Sequence, residues 1–193
     1  MRVNLGTYLL SLALCACSQA RLGLSPESRP ADAAVYRAVL DSIANSQSAR
    51  RPTQLVVIDS TLTAEPGLTE LEKVPEAEST AISEFKKRNS DSHSLAYLSS
   101  LDTQIPIVLV SRHTLESFLH NGPEAYWAEF YRRYPGSHGS IAFSSVGYNA
   151  KGDVAFLVLE TACGTLCGAL SNVVVKRNAG RWRVTLIEIK IIS

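Results

Sequence analysis

The chain has no excess of charge of either sign. Its 19 Lys and Arg residues are balanced by 18 Asp and Glu residues, and its 193 residues contain no internal repeat and no long low-complexity tract. Because nucleic-acid binding needs a basic field that collects phosphates, this balance disfavours nucleic acid as a partner. The length fits one domain that is large enough to bury a core.

Charged residues are also absent from residues 5–16, which follow Arg2 and run almost without polar side chains. A run of this length matches the apolar region of a secretion signal and is too short to span a bilayer as a helix. The N-terminus therefore predicts an exported protein. A retained N-terminal membrane anchor is the alternative that the shortness of the run disfavours.

The apolar run ends in Leu14-Cys15-Ala16-Cys17, which resembles the lipobox of bacterial lipoproteins. The resemblance implies that residues 1–16 are a signal peptide, that Cys17 is acylated, and that residues 17–29 form a lipid-anchored tether. Ser18 implies sorting to the outer membrane, facing the periplasm, if the host is Gram-negative. Alternatively, cleavage after Ala20, which also fits a small-x-small site, would release a soluble periplasmic or secreted protein.

Cysteine is scarce as well: there are four, and the signal region contains two of them. The other two, Cys163 and Cys167, would lie in an oxidising compartment, where two nearby cysteines form a disulfide by default. Closing so small a loop stabilises a fold by about 2 kcal/mol. A redox-active pair would normally have C-x-x-C spacing at a helix N-terminus, and a zinc site would need four ligands. We predict a structural disulfide, no metal and no cofactor.

Hydrophobic periodicity predicts a single α+β domain over residues 30–193. Helical spacing recurs from Pro30 and in three further segments, and two short apolar runs predict strands. The further helices are expected over 76–88, 114–120 and 123–133, and the two short strands over 54–59 and 105–110. We expect these N-terminal helices, with one or two short strands, to pack on the C-terminal part of the domain.

After Gly139 the apolar period becomes that of strands. Four strands, expected over 140–148, 154–162, 171–177 and 181–192, follow one another through short turns, which predicts a four-stranded antiparallel meander. In the last strand the apolar phase flips from Trp182 and its even-numbered neighbours to Ile187 and its odd-numbered neighbours. We expect a bulge near Leu186, or a strand that crosses between two buried surfaces. Glu188 would then lie on the face that Trp182 begins.

Two resemblances concern the C-terminal part. Tyr134-Pro135-Gly136-Ser137, Phe143-Ser144, residues 146–149, the Cys163–Cys167 loop and Gly180 with Trp182 resemble a set of uncharacterised exported bacterial proteins. This resemblance implies the disulfide and the meander but no mechanism. Residues 173–184 are similar to the end of NTF2-like domains, which are cone-shaped α+β folds whose sheet wraps a pocket.

Five of the chain's 14 aromatic residues lie between Tyr126 and Tyr134. Their spacing is that of one helical stripe, which favours a core face over the aromatic wall of a ligand pocket. If a pocket exists, its candidate residues are Tyr126, Trp127, His138 and Glu160. No residue is predicted to be catalytic, because Ser137 and His138 are adjacent in a turn and no G-x-S-x-G pattern accompanies them.

A metal site and a phosphatase nucleophile are the other chemistries suggested by short motifs. His113, Glu116 and His120 lie on one helical sector, but His113 and His120 are about 10 Å apart along a helix axis, so a solvated face explains them better. Asp59 slightly resembles the nucleophile of haloacid-dehalogenase-type phosphatases, which need a second acid where this chain has Thr61.

Two functional hypotheses follow. The first is a non-catalytic, lipid-anchored binding or envelope-accessory module that contacts the membrane through its lipid and binds a small molecule or an envelope protein. The second is a small hydrolase-like enzyme with a pocket between the aromatic helix and the sheet. It would use His138 with a carboxylate such as Glu160.

Overall fold

A computed structural model describes residues 28–46, 51–63, 74 and 77–192. The predicted signal peptide, the lipidation site Cys17, the alternative cleavage site at Ala20 and the tether up to residue 27 lie outside the described residues. None of the described helices is both long and apolar enough to cross a membrane.

The described chain is α+β, as predicted, with four α-helices and seven strands in one mixed sheet. The helices are α1 (Ser28–Ser46), α2 (Ser79–Arg88), α3 (Arg112–Glu116) and α4 (Pro123–Arg133), and two 3-10 helices span Ala96–Ser100 and Ser117–Asn121. The strands are β1 (Leu55–Ile58), β2 (Ile107–Val110), β3 (Ser140–Phe143), β4 (Gly147–Tyr148), β5 (Val154–Gly164), β6 (Cys167–Asn178) and β7 (Arg181–Ile192).

The sheet is larger than the predicted meander. Its order is β2-β1-β3-β5-β6-β7, and β4 also pairs with β5. Strands β3, β5, β6 and β7 form the expected antiparallel meander. However, β1 and β2 do not belong to a separate layer packed on it. They extend the same sheet in parallel, because β1 pairs with β3 through Val56–Ser140 and Val57–Ile141.

The segment expected as one strand over 140–148 is divided at Ser144. The Ser144 hydroxyl accepts a hydrogen bond from the backbone N–H of Val158 at 2.7 Å, so a side chain takes a place in the ladder that a carbonyl would fill. Beyond this break, β4 approaches α2 closely. A Cβ atom on Gly147 would lie 2.2 Å from the Ala81 carbonyl oxygen, so glycine is required for the contact.

The sheet separates two layers. One face carries α1 and the 3-10 helix Ala96–Ser100, which bury a cluster that includes Val57, Phe143 and Leu157. The opposite face is covered by α2 at one end and by α4 at the other. Leu62 packs against the clusters under both helices. Between α2 and α4 the sheet exposes its polar and small side chains, and this is where the candidate site lies.

The bulge expected near Leu186 is present. The register between β6 and β7 shifts between the pairs Val175–Val184 and Val174–Leu186, so Thr185 is the additional residue. The bulge keeps Ile187 on the α1 side, the side that Trp182 and Val184 also face. Glu188 therefore pairs with Asn172 on the opposite side, and the expectation that it shares the face of Trp182 is wrong.

Candidate functional site

Two adjoining cavities lie between α3, α4 and the sheet. The larger has a volume of about 730 Å³ and is bounded by the end of β1, by α3 and by β5, β6 and β7. The smaller has a volume of about 350 Å³ and lies under α4. Both are lined by Arg112, Glu160 and Ala162. We refer to the two cavities together as the central cleft.

The parallel pairing of β1 and β2 accounts for the position of the central cleft. The carboxyl ends of parallel strands lie at one edge of a sheet, where loops commonly form ligand sites. Ser60 and Thr61 follow β1, and Ser111 and Arg112 follow β2. The Ser111 hydroxyl caps α3 by accepting a hydrogen bond from the Thr114 N–H at 3.0 Å. This cap fixes the first turn of α3 and places Arg112 at the cleft.

The central cleft is lined by one guanidinium and two carboxylates, and two of these groups, Arg112 and Glu160, line both cavities without neutralising each other. The third, Glu116 on α3, is exposed and lines the smaller cavity only. Arg112 is exposed on α3, and Glu160 is partly buried on β5. Within the described part of the chain, neither side chain forms a hydrogen bond or an ion pair. Both act on Tyr126, whose pKa is raised mainly because burial disfavours the phenolate. Arg112 lowers that pKa, and Glu160 raises it further. The two charges therefore lie within electrostatic range of the same hydroxyl group.

The aromatic stripe of α4 is divided between core and cleft. Phe130 is fully buried and Tyr134 nearly so, which matches the core interpretation of the sequence. Tyr126 and Trp127 are half-buried and line the smaller cavity, with their rings 4.9 Å apart in an edge-to-face arrangement. Phe130 packs edge-on against Trp127 at 5.2 Å. The buried Phe130 ring thus supports the Trp127 ring, which faces the cleft.

Hydroxyl groups line the larger cavity. The Thr61 hydroxyl accepts a hydrogen bond from the His93 N–H at 2.8 Å, and the Ser92 hydroxyl donates to the Thr61 carbonyl oxygen at 2.7 Å. These two hydrogen bonds join the segment after β1 to residues 92–93. The hydroxyls of Ser60 and Thr63 form no hydrogen bond with any described residue and line the same cavity. They remain available to a ligand.

The hairpin between β5 and β6 forms one rim of the central cleft. Cys163 and Cys167 are joined by a disulfide, with their Cα atoms 5.1 Å apart. Gly164, inside the disulfide loop, lines the smaller cavity. The Tyr131 hydroxyl on α4 donates a hydrogen bond to the Cys163 carbonyl oxygen at 2.8 Å. The disulfide loop is therefore attached to the helix that forms the opposite wall.

Three of the four pocket candidates that the sequence indicates come together. Tyr126, Trp127 and Glu160 line the smaller cavity, whereas His138 is not among the described residues that line either cavity. Arg112 was missed. The sequence alone does not indicate Arg112 as a site residue, because its place at the cleft depends on β2 ending beside β1. No group of three His, Cys, Asp or Glu side chains in the described residues is placed to hold a metal ion.

The floor beside the central cleft contains buried polar atoms without partners. Asn172 on β6 is 1% exposed, and neither its amide nitrogen nor its amide oxygen forms a hydrogen bond with a described residue. Its cross-strand neighbour Glu188 has one buried carboxylate oxygen without a partner, while the other binds Lys190 at 2.6 Å. Such atoms cost stability, and nothing in the periodicity of β6 indicated them.

A separate buried cluster joins the two layers of the fold. Arg88 on α2 forms an ion pair with Asp32 on α1 at 2.7 Å and also binds the Val146 carbonyl oxygen. Tyr148 donates its hydroxyl to Asp32 at 2.8 Å. Burial lowers the pKa of Arg88, but the hydrogen bond and the charge of Asp32 outweigh it and leave the pKa raised. None of these residues lines the central cleft, so we assign the cluster a structural role.

Comparison with protein-family models, curated proteins and solved structures finds no match to this chain.

Proposed function

We propose that this protein is an exported, lipid-anchored and non-catalytic module of the cell envelope that binds a small ligand in the central cleft. The observation that carries the proposal is a pair of opposite charges, Arg112 and Glu160, beside the half-buried rings of Tyr126 and Trp127. Neither charged group forms a hydrogen bond or an ion pair within the described part of the chain. A few convergent polar groups next to an aromatic wall are typical of ligand sites.

The chemistry of the lining supports binding rather than catalysis. No His, Lys or Cys is among the described residues that line the two cavities. Hydroxyls line both cavities, but none forms a hydrogen bond with Glu160 or Glu116, the two lining carboxylates. Nucleophilic catalysis needs a hydroxyl or thiol within hydrogen-bond reach of a base. The hydrolase-like alternative, which pairs His138 with Glu160, lacks support because His138 does not line the space that Glu160 faces.

The anchoring half of the proposal rests on the lipobox-like sequence that ends at Cys17. Mass spectrometry of the native protein is expected to show a mature chain that begins at Cys17 and carries a diacyl or triacyl mass. A mature chain that begins at Arg21 would contradict the anchor and leave the binding half of the proposal untouched.

The binding half is tested by a thermal-shift screen of small polar and amphipathic compounds on the mature protein in detergent. Compounds that bind in the central cleft raise the Tm of the wild type by mass action and lose this effect in Trp127→Ala. Glu124→Gln is the matched control, because Glu124 lies on the same helix, is exposed and lines neither cavity. Compounds that raise the Tm of Trp127→Ala and of the wild type by the same amount would contradict the proposed site.

A further inference from the structure

We infer that the ligand of the central cleft is a zwitterion, namely an α-amino acid with a free ammonium group, a free carboxylate and an apolar side chain. This inference rests on the proposed binding function and adds the chemistry of the ligand. It depends on how charge and apolar surface are distributed within the cleft.

Arg112 and Glu160, the two charged groups that line both cavities, each fit one end of such a ligand. Arg112 offers a planar guanidinium whose paired N–H donors match a carboxylate in bidentate geometry. Glu160 offers carboxylate oxygens that accept from an ammonium group. Arg112 belongs to the α3 wall and Glu160 to the sheet floor, so the two groups approach a ligand from different sides.

The absence of an ion pair between these residues, within the described chain, distinguishes a zwitterion from a ligand with one charge. An anion would engage Arg112 and leave Glu160 unpaired beside it, and a cation would do the reverse. Because a zwitterion engages both, it gains two charge-assisted hydrogen-bonding interactions and brings no net charge into the cleft. Electrostatic complementarity of this kind selects between ligands of similar size and shape.

The apolar part of the ligand has a defined place. The smaller cavity extends from Arg112 and Glu160 to Leu115, Tyr126 and Trp127 under α4. An apolar side chain attached to the same carbon as the ammonium and carboxylate groups would enter this cavity while both charges stay paired. The larger cavity, where the hydroxyls of Ser60 and Thr63 form no hydrogen bond with any described residue, offers further polar partners to the ligand.

Three probes with the same apolar side chain separate these contributions on the wild-type protein. Phenylalanine carries both charges, N-acetylphenylalanine lacks the ammonium group, and phenylalaninamide lacks the carboxylate. Isothermal titration of the mature protein in detergent should show binding of phenylalanine, with each blocked derivative at least about tenfold weaker, which corresponds to about 1.4 kcal/mol.

Two variants assign each preference to its residue. In Glu160→Gln the preference for phenylalanine over the N-acetyl derivative should disappear, while the preference over the amide persists. In Arg112→Gln the opposite pattern is expected. Glu124→Gln should keep both preferences, because Glu124 lines neither cavity. Within each variant, the affinities for the three probes are compared with one another. The result therefore does not depend on the variants being equally stable.

The inference is overturned if all three probes bind equally, or if none binds at the highest concentration that is soluble. In that case the proposed binding function is still tested separately by the thermal-shift screen. A ligand of another class would raise the Tm of the wild type and lose this effect in Trp127→Ala. If no compound shows such a shift, the proposed function itself fails.

Discussion

Asp32 on α1 and Arg88 on α2 form an ion pair of 2.7 Å between the two layers of the fold, with their side chains 2% and 10% exposed. Removing one member of a buried pair leaves an uncompensated charge in the interior. We expect Asp32→Ala to lower the free energy of unfolding by about 3–5 kcal/mol. Urea denaturation followed by circular dichroism measures the change.

The same helix supplies the control for this prediction. Asp41 and Arg37 form a partly exposed pair at 3.7 Å. Exposed pairs of this kind contribute at most about 1 kcal/mol, so Asp41→Ala should have a much smaller effect. Equal effects of the two substitutions would show that the buried pair does not hold the layers together.

Stability should fall in alkaline solution because of two buried tyrosines. The pKa of Tyr36 is raised well above its usual value by burial, and that of Tyr148 is raised by burial and by the neighbouring Asp32. The unfolded chain releases these protons near pH 10, whereas the folded chain retains them. The unfolded state then binds fewer protons, so the free energy of unfolding decreases as pH rises above about 10.

Denaturation midpoints measured from pH 8 to beyond the usual tyrosine pKa test this sign. Each retained proton contributes a slope of up to about 1.4 kcal/mol per pH unit. Tyr148→Phe removes one ionisable group and should make the alkaline decline less steep. A decline of the same slope in wild type and variant would exclude Tyr148 as a cause.

Local patterns predicted the elements that depend on neighbours in sequence. The aromatic helix occupies the predicted residues, Pro123–Arg133, and the last strand occupies Arg181–Ile192. The flip in apolar phase correctly indicated a bulge, located at Thr185. Short turns between apolar runs also predicted the antiparallel meander. In each case, the interactions that decide the structure are between residues close in the chain.

Long-range pairing was not predictable in the same way. The apolar runs that became β1 and β2 do not show which strand they join, because parallel partners are separated by long connections. Arg112 therefore gave no signal as a site residue, although Tyr126, Trp127 and Glu160 were named from sequence. The unpartnered Asn172 was equally hidden, since it lies in an apolar strand and its cost depends on what surrounds it.

Removal of the disulfide should affect stability and the rim of the central cleft. In the double variant Cys163→Ser, Cys167→Ser, the free energy of unfolding should fall by about 2 kcal/mol, because a small closed loop is released. Since Gly164 lines the smaller cavity, ligand affinity should also fall in a variant that remains folded. Reduced wild-type protein should reproduce both effects, and an unchanged affinity would show that the rim does not need the disulfide.

Asn172 offers a substitution that should stabilise the protein. Both polar atoms of its side chain are buried beside Val158 and Val174, without a partner among the residues that the structure describes. Asn172→Leu removes the desolvation cost of these atoms, which amounts to about 1–3 kcal/mol. A higher denaturation midpoint is expected. Arg183→Leu is a useful comparison, since Arg183 is exposed on β7 and its side chain forms no hydrogen bond within the described part of the chain. This substitution should change stability by less than about 0.5 kcal/mol.

The central claim is that a ligand binds beside Trp127, and the chain's two tryptophans allow a direct test. Trp182→Phe leaves Trp127, in the central cleft, as the sole tryptophan. Trp127→Phe leaves Trp182, which packs with Tyr148 on the α1 side of the sheet. A ligand found by the thermal-shift screen should change the emission of the Trp127-containing variant in a saturable manner and leave that of the Trp182-containing variant unchanged. A saturable change in the Trp182-containing variant alone would contradict the account.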